Sequence, residues 1–152
     1  MTDPDSDPRL AQARLINSAI PHNVALGMEV VEVADGMALM AVPWAETLVG
    51  DPDSGGIHGG VPTALLDACP GTAVMLHDDT PGGTATIDLR IDYMRPARAR
   101  KTIYARATCF KVTRNVAFVR GTAFDGEEAD PVAISTGTFT VEPRGTRFGA
   151  PS

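Results

Sequence analysis

The hydrophobic and polar positions change period several times along the chain. In LAQARLINSAI (10–20) apolar residues fall at 10, 13, 16 and 20, the spacing of one helical face, and Pro21 is expected to stop that helix. GMEVVEVA (27–34) and MALMAVPW (37–44) read as two strands around an Asp35-Gly36 turn. Residues 45–57 read as a loop. GVPTALLDACPGTAVMLH (60–77) then sets Val61, Leu65, Ala68, Thr72 and Leu76 on one helical stripe, widened by Leu66, Cys69 and Ala73. A helix this apolar is a buried one. Pro62 suits its first turn. Pro70 removes the hydrogen bond to Leu66 and is expected to kink the helix or end it at Cys69.

After HDDTPGG (77–83) come four strand-like runs: TATIDLRIDYMRP, KTIYARATCFKV, NVAFVRGTAF and PVAISTGTFTVE. In the first, Ile87, Leu89, Ile91 and Tyr93 alternate with Thr86, Asp88, Arg90 and Asp92. Turn signals at Pro96–Arg100, Arg114-Asn115 and Asp125-Gly126 separate the runs, as in an antiparallel meander. The expected class is α+β: about six antiparallel strands wrapped around one central helix, plus an N-terminal helix. Residues 9–143 read as a single domain, with flexible ends at 1–8 and 144–152.

The 152 residues are enough for one sizeable core. The acidic, Pro-rich start lacks the basic and apolar regions of a signal peptide, and no apolar run spans a membrane. A cytoplasmic location without membrane association is therefore expected. Cys69 and Cys109 make no metal spacing and read as reduced core residues. Net charge is −6, yet residues 84–120 hold nine Lys or Arg against two acids. An acidic whole argues against nucleic acid as a partner. A local Arg-rich surface suits a small phosphorylated ligand or a solvated strand face.

The densest chemistry lies in GDPDSGGIHGG (50–60). DSGG looks like a serine-protease loop, but the chain is short for two barrels and lacks an ordered upstream His and Asp. Ser54 is read as a loop residue. His58, Gly59 and Gly60 open the central helix, where unpartnered backbone N–H groups can polarise a carbonyl. Asp67 stands among apolar neighbours. There a partly desolvated carboxylate would be a strengthened base, or a nucleophile. His58 and Asp67 are nine residues apart, roughly 13 Å along one helix, whereas a reacting carbon needs both groups within about 3 Å. Two antiparallel helices in a two-fold dimer could bring them together.

HGGVPTALLDACPGTA, followed by TIDLRIDYMRPARA, resembles the hotdog-fold acyl-CoA thioesterases of the PaaI-like (phenylacetate-pathway) branch. The likeness covers about residues 26–142. It implies hydrolysis of an acyl-CoA to free acid and coenzyme A by a homodimer, or a dimer of dimers. The Gly59 N–H would polarise the thioester carbonyl and His58 would orient the loop. Asp67 of the neighbouring subunit would activate water or attack, and Thr86 would place the water or Asp67. Gly60, Arg95 and Arg114 would contact coenzyme A, which is part of the substrate. No resident cofactor or metal is implied, and His22 and His77 have no evident ligand partners. Asp51 stands where the family commonly carries Asn, so its side chain lacks an amide donor. A non-hydrolytic acyl-CoA-binding module and a hotdog hydratase or dehydratase are the alternatives.

Overall fold

The computed structural model describes residues 7–80 and 82–142. The expected tail 144–152 and most of the expected loose start lie outside the described residues. Helix α1 (Pro8–Ser18) opens with Asp7 as cap: its carboxylate accepts the Arg9 N–H at 2.8 Å, and Pro8 takes the first helical position. α1 buries Leu10 and Ala13. Pro21 follows the end of α1, as expected, but also opens a second short helix, α2 (Pro21–Ala25). At a first helical position the missing N–H would have had no helical partner anyway.

Strands β1 (Glu29–Ala34) and β2 (Met37–Val42) pair across the Asp35-Gly36 turn. Gly36 has φ 63°, and a Cβ there would lie 2.7 Å from the His77 ring. Both facts require glycine. The Gly36 carbonyl accepts the Cys109 N–H at 2.7 Å, which ties the turn to the sheet beside the end of the central helix. The expected loop 45–57 is more structured than its composition suggests. It holds a 3-10 turn (Glu46–Leu48) and a two-stranded ribbon, β3 (Val49–Asp51) with β4 (Gly56–Ile57).

The central helix α3 (Gly60–Met75) continues past Pro70 and does not end at Cys69, one of the two outcomes local rules allow there. Packing overrides the local cost, about 3 kcal/mol for a proline inside a helix. Pro70 is fully buried against a strand that carries Gly121. A Cβ on Gly121 would sit 3.2 Å from the Leu66 side chain and 3.7 Å from the Pro70 ring. The glycine leaves room for the Leu66 side chain and for the Ser135 hydroxyl, which would lie 2.6 Å from such a Cβ, while the Pro70 ring is at ordinary contact distance.

The main sheet adds β5 (Thr86–Tyr93), β6 (Ile103–Val112), β7 (Val116–Phe124) and β8 (Ala133–Thr140). Its order is β1-β2-β6-β7-β8-β5, antiparallel throughout. Small inward residues, among them Ala105, Ala107, Gly121 and Ala123, line the face on which α3 rests. α3 packs chiefly on β6, β2 and β7. The alternation in β5 therefore finds less cover than the sequence implies. Ile87 and Tyr93 stay 55% and 54% exposed on this edge strand. Among the described residues no helix is long and apolar enough to cross a membrane.

Both cysteines are buried thiols. Cys69 donates to the Ala38 and Ala105 carbonyls, and burial pushes its pKa up to about 12. Burial also raises the Cys109 thiol. The thiolate is the reactive form. In a timed thiol titration at pH 8 the folded protein is expected to show no fast phase, and both thiols should react at once after denaturation.

Candidate active site

The helix mouth is assembled by local hydrogen bonds. The His58 N–H donates to the Leu48 carbonyl at 2.9 Å, and the His58 carbonyl accepts the Val61 N–H at 2.9 Å. Gly50 permits this closeness, because a Cβ there would lie 2.7 Å from the His58 Cα. The His58 ring turns back on the helix: Nδ1 accepts the Gly60 N–H at 2.9 Å. A neutral ring that accepts at Nδ1 carries its proton on Nε2. The Gly60 donor is thus satisfied within the chain. The Gly59 N–H has no partner among the described residues, and the space where a Gly59 Cβ would point is open to 4 Å. An open N–H at the positive end of a sixteen-residue helix can bind an oxyanion or polarise a carbonyl.

Tyr93 was not singled out by the sequence, yet it joins this mouth. Its hydroxyl reaches the Gly59 carbonyl at 3.4 Å and contacts the Thr63 hydroxyl, which itself donates to the Gly59 carbonyl at 2.7 Å. Its only signal was a polar tip on the last apolar position of an alternating strand.

Asp51 is held within its own turn. Its carboxylate accepts the Ser54 hydroxyl at 2.6 Å and the Asp53 N–H at 3.2 Å. The Ser54 hydrogen bond, then that of Asp53, keeps its pKa below the usual carboxylate value. Ser54 is therefore the clamp of Asp51. Both line a groove of about 600 Å³ with His58, Gly59, Pro96 and Ala97.

Asp67 departs from the expected desolvation: it is exposed in the single chain. It lies on the part of α3 that faces the edge strand β5 rather than the covered centre of the sheet. The Thr86 hydroxyl donates to its Oδ1 at 2.7 Å and leaves Oδ2 for another partner. The pair opens onto a second cavity of about 360 Å³, walled by α1, α2, α3, the approach to β5 and Phe139. His22, set aside at the sequence level, lines it too. His77 lies just past the end of α3, where its Nδ1 accepts the Asp79 N–H at 3.1 Å. Among the described residues no group of His, Cys, Asp and Glu could hold a metal.

The structure sorts the Arg-rich segment by partner. Arg95 is held by Asp125 and Asp130, with its shortest bond at 2.7 Å to Asp125. Arg98 meets the same two acids. Arg90 pairs with Asp92, and Arg106 with Glu128. Arg114 is exposed in the turn between β6 and β7, roughly 30 Å of strand beyond the β6 end nearest the mouth. Arg100 stands beside the groove, with left-handed backbone (φ 60°) and its guanidinium 5.1 Å from the Trp44 ring.

Gly59 and Asp67 do not meet within one chain. They are roughly 12 Å apart along the helix, and no residue lines both cavities.

An antiparallel sheet wrapped in this way on one long helix defines the hotdog class. Within it the chain belongs to the thioesterase superfamily, whose sequence profile matches residues 54–132. A Halobacterium salinarum protein named as a candidate esterase is 34% identical over 124 residues, covering 76% of this chain and 81% of its own. The Escherichia coli medium/long-chain acyl-CoA thioesterase YigI is 30% identical over 135 residues, covering 80% and 86%. Among solved structures, a Pseudomonas aeruginosa protein is 38% identical with TM-score 0.78, covering 88% of this chain and 98% of its own. A mutant of the phenylacetic acid degradation protein PaaI from Thermus thermophilus is 30% identical with TM-score 0.66, covering 80% and 98%.

Proposed function

We propose that the protein hydrolyses acyl-CoA thioesters at sites divided between two copies of the chain. The supporting observation is the separation just described: an open donor at Gly59 and a carboxylate on the same helix, too far apart to act on one carbon. A two-fold pairing of β5 edges would continue the sheet and lay the two α3 helices antiparallel. It would also cover Ile87 and Tyr93. The Asp67 of one copy would then face the Gly59 mouth of the other.

In the reaction, the thioester oxygen accepts from the Gly59 N–H. Asp67 Oδ2 takes a proton from water as the water oxygen bonds to the carbonyl carbon. The tetrahedral intermediate collapses, the C–S bond breaks, and the thiolate of coenzyme A leaves and is protonated. Direct attack by Asp67, forming an anhydride that water then opens, balances equally. His58 keeps the mouth in shape through Gly60, and Thr86 fixes the Asp67 rotamer. The acyl group occupies the cavity beside Asp67, and the pantetheine arm leaves through the groove beside Gly59. The coenzyme A phosphates fall to cations without an acid partner. Arg100, next to the groove residue Ala99, is one of these, and Arg114 would reach a mouth only from the partner. Arg95 would have to leave Asp125.

The ionised Asp51 in the groove favours a second reading, a binder that does not turn over, because its charge opposes a developing oxyanion. A panel of short, medium, long and aryl acyl-CoAs with thiol release as readout decides between them. Turnover of at least one is expected. Binding of several, seen as thermal stabilisation with no thiol released, supports the binder.

A further inference from the structure

The hydroxyl groups that meet at the helix mouth have a fixed direction. The Gly59 carbonyl only accepts, so the Thr63 hydroxyl directs its one proton there, at 2.7 Å. Toward Tyr93 the Thr63 oxygen is then an acceptor, and the Tyr93 hydroxyl donates to it or to the Gly59 carbonyl at 3.4 Å. Either way the Tyr93 proton points into its own chain. What Tyr93 presents to the mouth is an oxygen that accepts, on a side chain 54% exposed. The neighbouring acceptors are already engaged. His58 Nδ1 takes the Gly60 N–H, and the Asp51 carboxylate is turned onto Ser54 and Asp53.

The far end of the same strand carries the other half of the chemistry. Tyr93 ends β5 and Thr86 begins it, and Thr86 holds Asp67 at 2.7 Å. β5 is thus tied to α3 at both ends, by Tyr93 at the mouth and by Thr86 at the carboxylate. When two β5 edges pair antiparallel, the Tyr93 end of one lies against the Thr86 end of the other. We infer that the Tyr93 oxygen holds the attacking water against the partner's Asp67, which makes Tyr93 a third catalytic group of each divided site. The inference rests on the thioesterase reading and on the β5 pairing proposed with it.

Water has two protons to place. The partner's Asp67 Oδ2 takes one, and the Tyr93 oxygen accepts a hydrogen bond from the other. A lone pair of the water oxygen then faces the carbonyl carbon, whose own oxygen sits on the Gly59 N–H. As the O–C bond forms, the first proton passes to Asp67 and the second stays on the oxygen. The C–S bond breaks, and the leaving thiolate takes the proton from Asp67. Acid and thiol result, and Tyr93 neither gains nor loses a proton. Thr63 is a positioning residue, since it fixes where the Tyr93 proton points.

Tyr93→Phe removes that oxygen alone. kcat is expected to fall about tenfold, as for one hydrogen bond made in the transition state, with KM changed by less than about twofold. Melting temperature and assembly should hold, because the lost atom is on a half-exposed side chain. Tyr93→Leu is the second variant. Mixing gives a readout that a structural role would not move, because Tyr93 serves the Gly59 of its own chain and the Asp67 of the other. Mixed with Asp67→Asn, the Tyr93→Phe chain should restore about a quarter of wild-type activity, well above the mean of the two parents. Mixed with Gly59→Pro, it should restore nothing beyond that mean. An unchanged kcat overturns the inference and leaves the thioesterase reading standing. So does a rise in KM alone, which would put the oxygen on the pantetheine arm. A mixture with Asp67→Asn that only averages its parents, despite subunit exchange, overturns it as well. Absence of turnover by the wild type with every acyl-CoA overturns the reading and the inference together.

Discussion

Asp67→Asn is expected to lower kcat by about 10²–10⁴-fold with little change in stability or in KM. The substitution keeps the size of the side chain and an oxygen that can accept from Thr86 at the 2.7 Å position. It removes the charge that takes a proton from water. The sharper form of this prediction concerns mixing. Gly59→Pro deletes the open N–H, and the native φ of −57° already suits proline. Each variant alone should be nearly inactive. In a mixed dimer, one site combines both defects and the other combines an intact mouth with an intact Asp67. Random mixing should restore about a quarter of the wild-type activity, since half of the dimers are mixed and each carries one good site. If both groups acted from one chain, every chain in the mixture would be defective and nothing would return. Subunit exchange is confirmed by tagging one variant and recovering the other with it. Recovery of activity would establish the divided site and the dimer in one measurement. A failure despite confirmed exchange would remove the divided site.

Much of this arrangement was legible before any coordinates. The period change at Gly60 marks the central helix, and the alternations after residue 84 mark the meander, because both signals come from burial on one face. Pro70 was misleading for a physical reason. Local rules price a proline against an isolated helix, whereas here the ring is fully buried where α3 packs on the sheet. No pattern local to residue 70 carries that information. The loop 45–57 hid a ribbon for a similar reason: its strands are too short for any periodicity to appear. At the site, the spacing between His58 and Asp67 already separated the two groups. The expected burial of Asp67 was wrong for the single chain, since apolar neighbours in sequence lie on other faces of a helix. Charge was least legible. Composition shows an Arg-rich stretch, but only the fold shows that Asp125 and Asp130, far along the chain, hold Arg95 and Arg98.

Asp125→Ala is expected to destabilise the protein by about 3–5 kcal/mol, the usual result of stripping one partner from a buried ion pair. The Asp125 side chain is fully buried and bonds Arg95 and Arg98 at 2.7 and 2.9 Å. It also accepts the Arg98 N–H at 2.6 Å. Without it, the mostly buried Arg95 charge keeps only Asp130 and backbone carbonyls. For a chain of this length the melting temperature should fall by roughly 10 °C or more. The acid limb should change as well. Burial raises the Asp125 pKa, but the hydrogen bonds from Arg95 and Arg98 and their charges outweigh it, so the folded value lies below the usual one. Asp130 is lowered by the same two arginines. A depressed folded pKa contributes stability that is complete above the unfolded value of about 3.9 and disappears as pH falls through the folded value. The wild type should therefore lose stability steeply below about pH 4, and Asp125→Ala should lose less there because that contribution is already gone. The effect should also reach the site. Arg95 also donates to the Pro96 carbonyl, and Pro96, Ala97 and Ala99 form one wall of the groove at the helix mouth. Loosening that wall should raise KM for acyl-CoA in the folded variant more than it lowers kcat, because Gly59 and Asp67 lie outside the ion-pair cluster. A variant as stable as the wild type at pH 7 would mean that Arg95 finds equal support elsewhere.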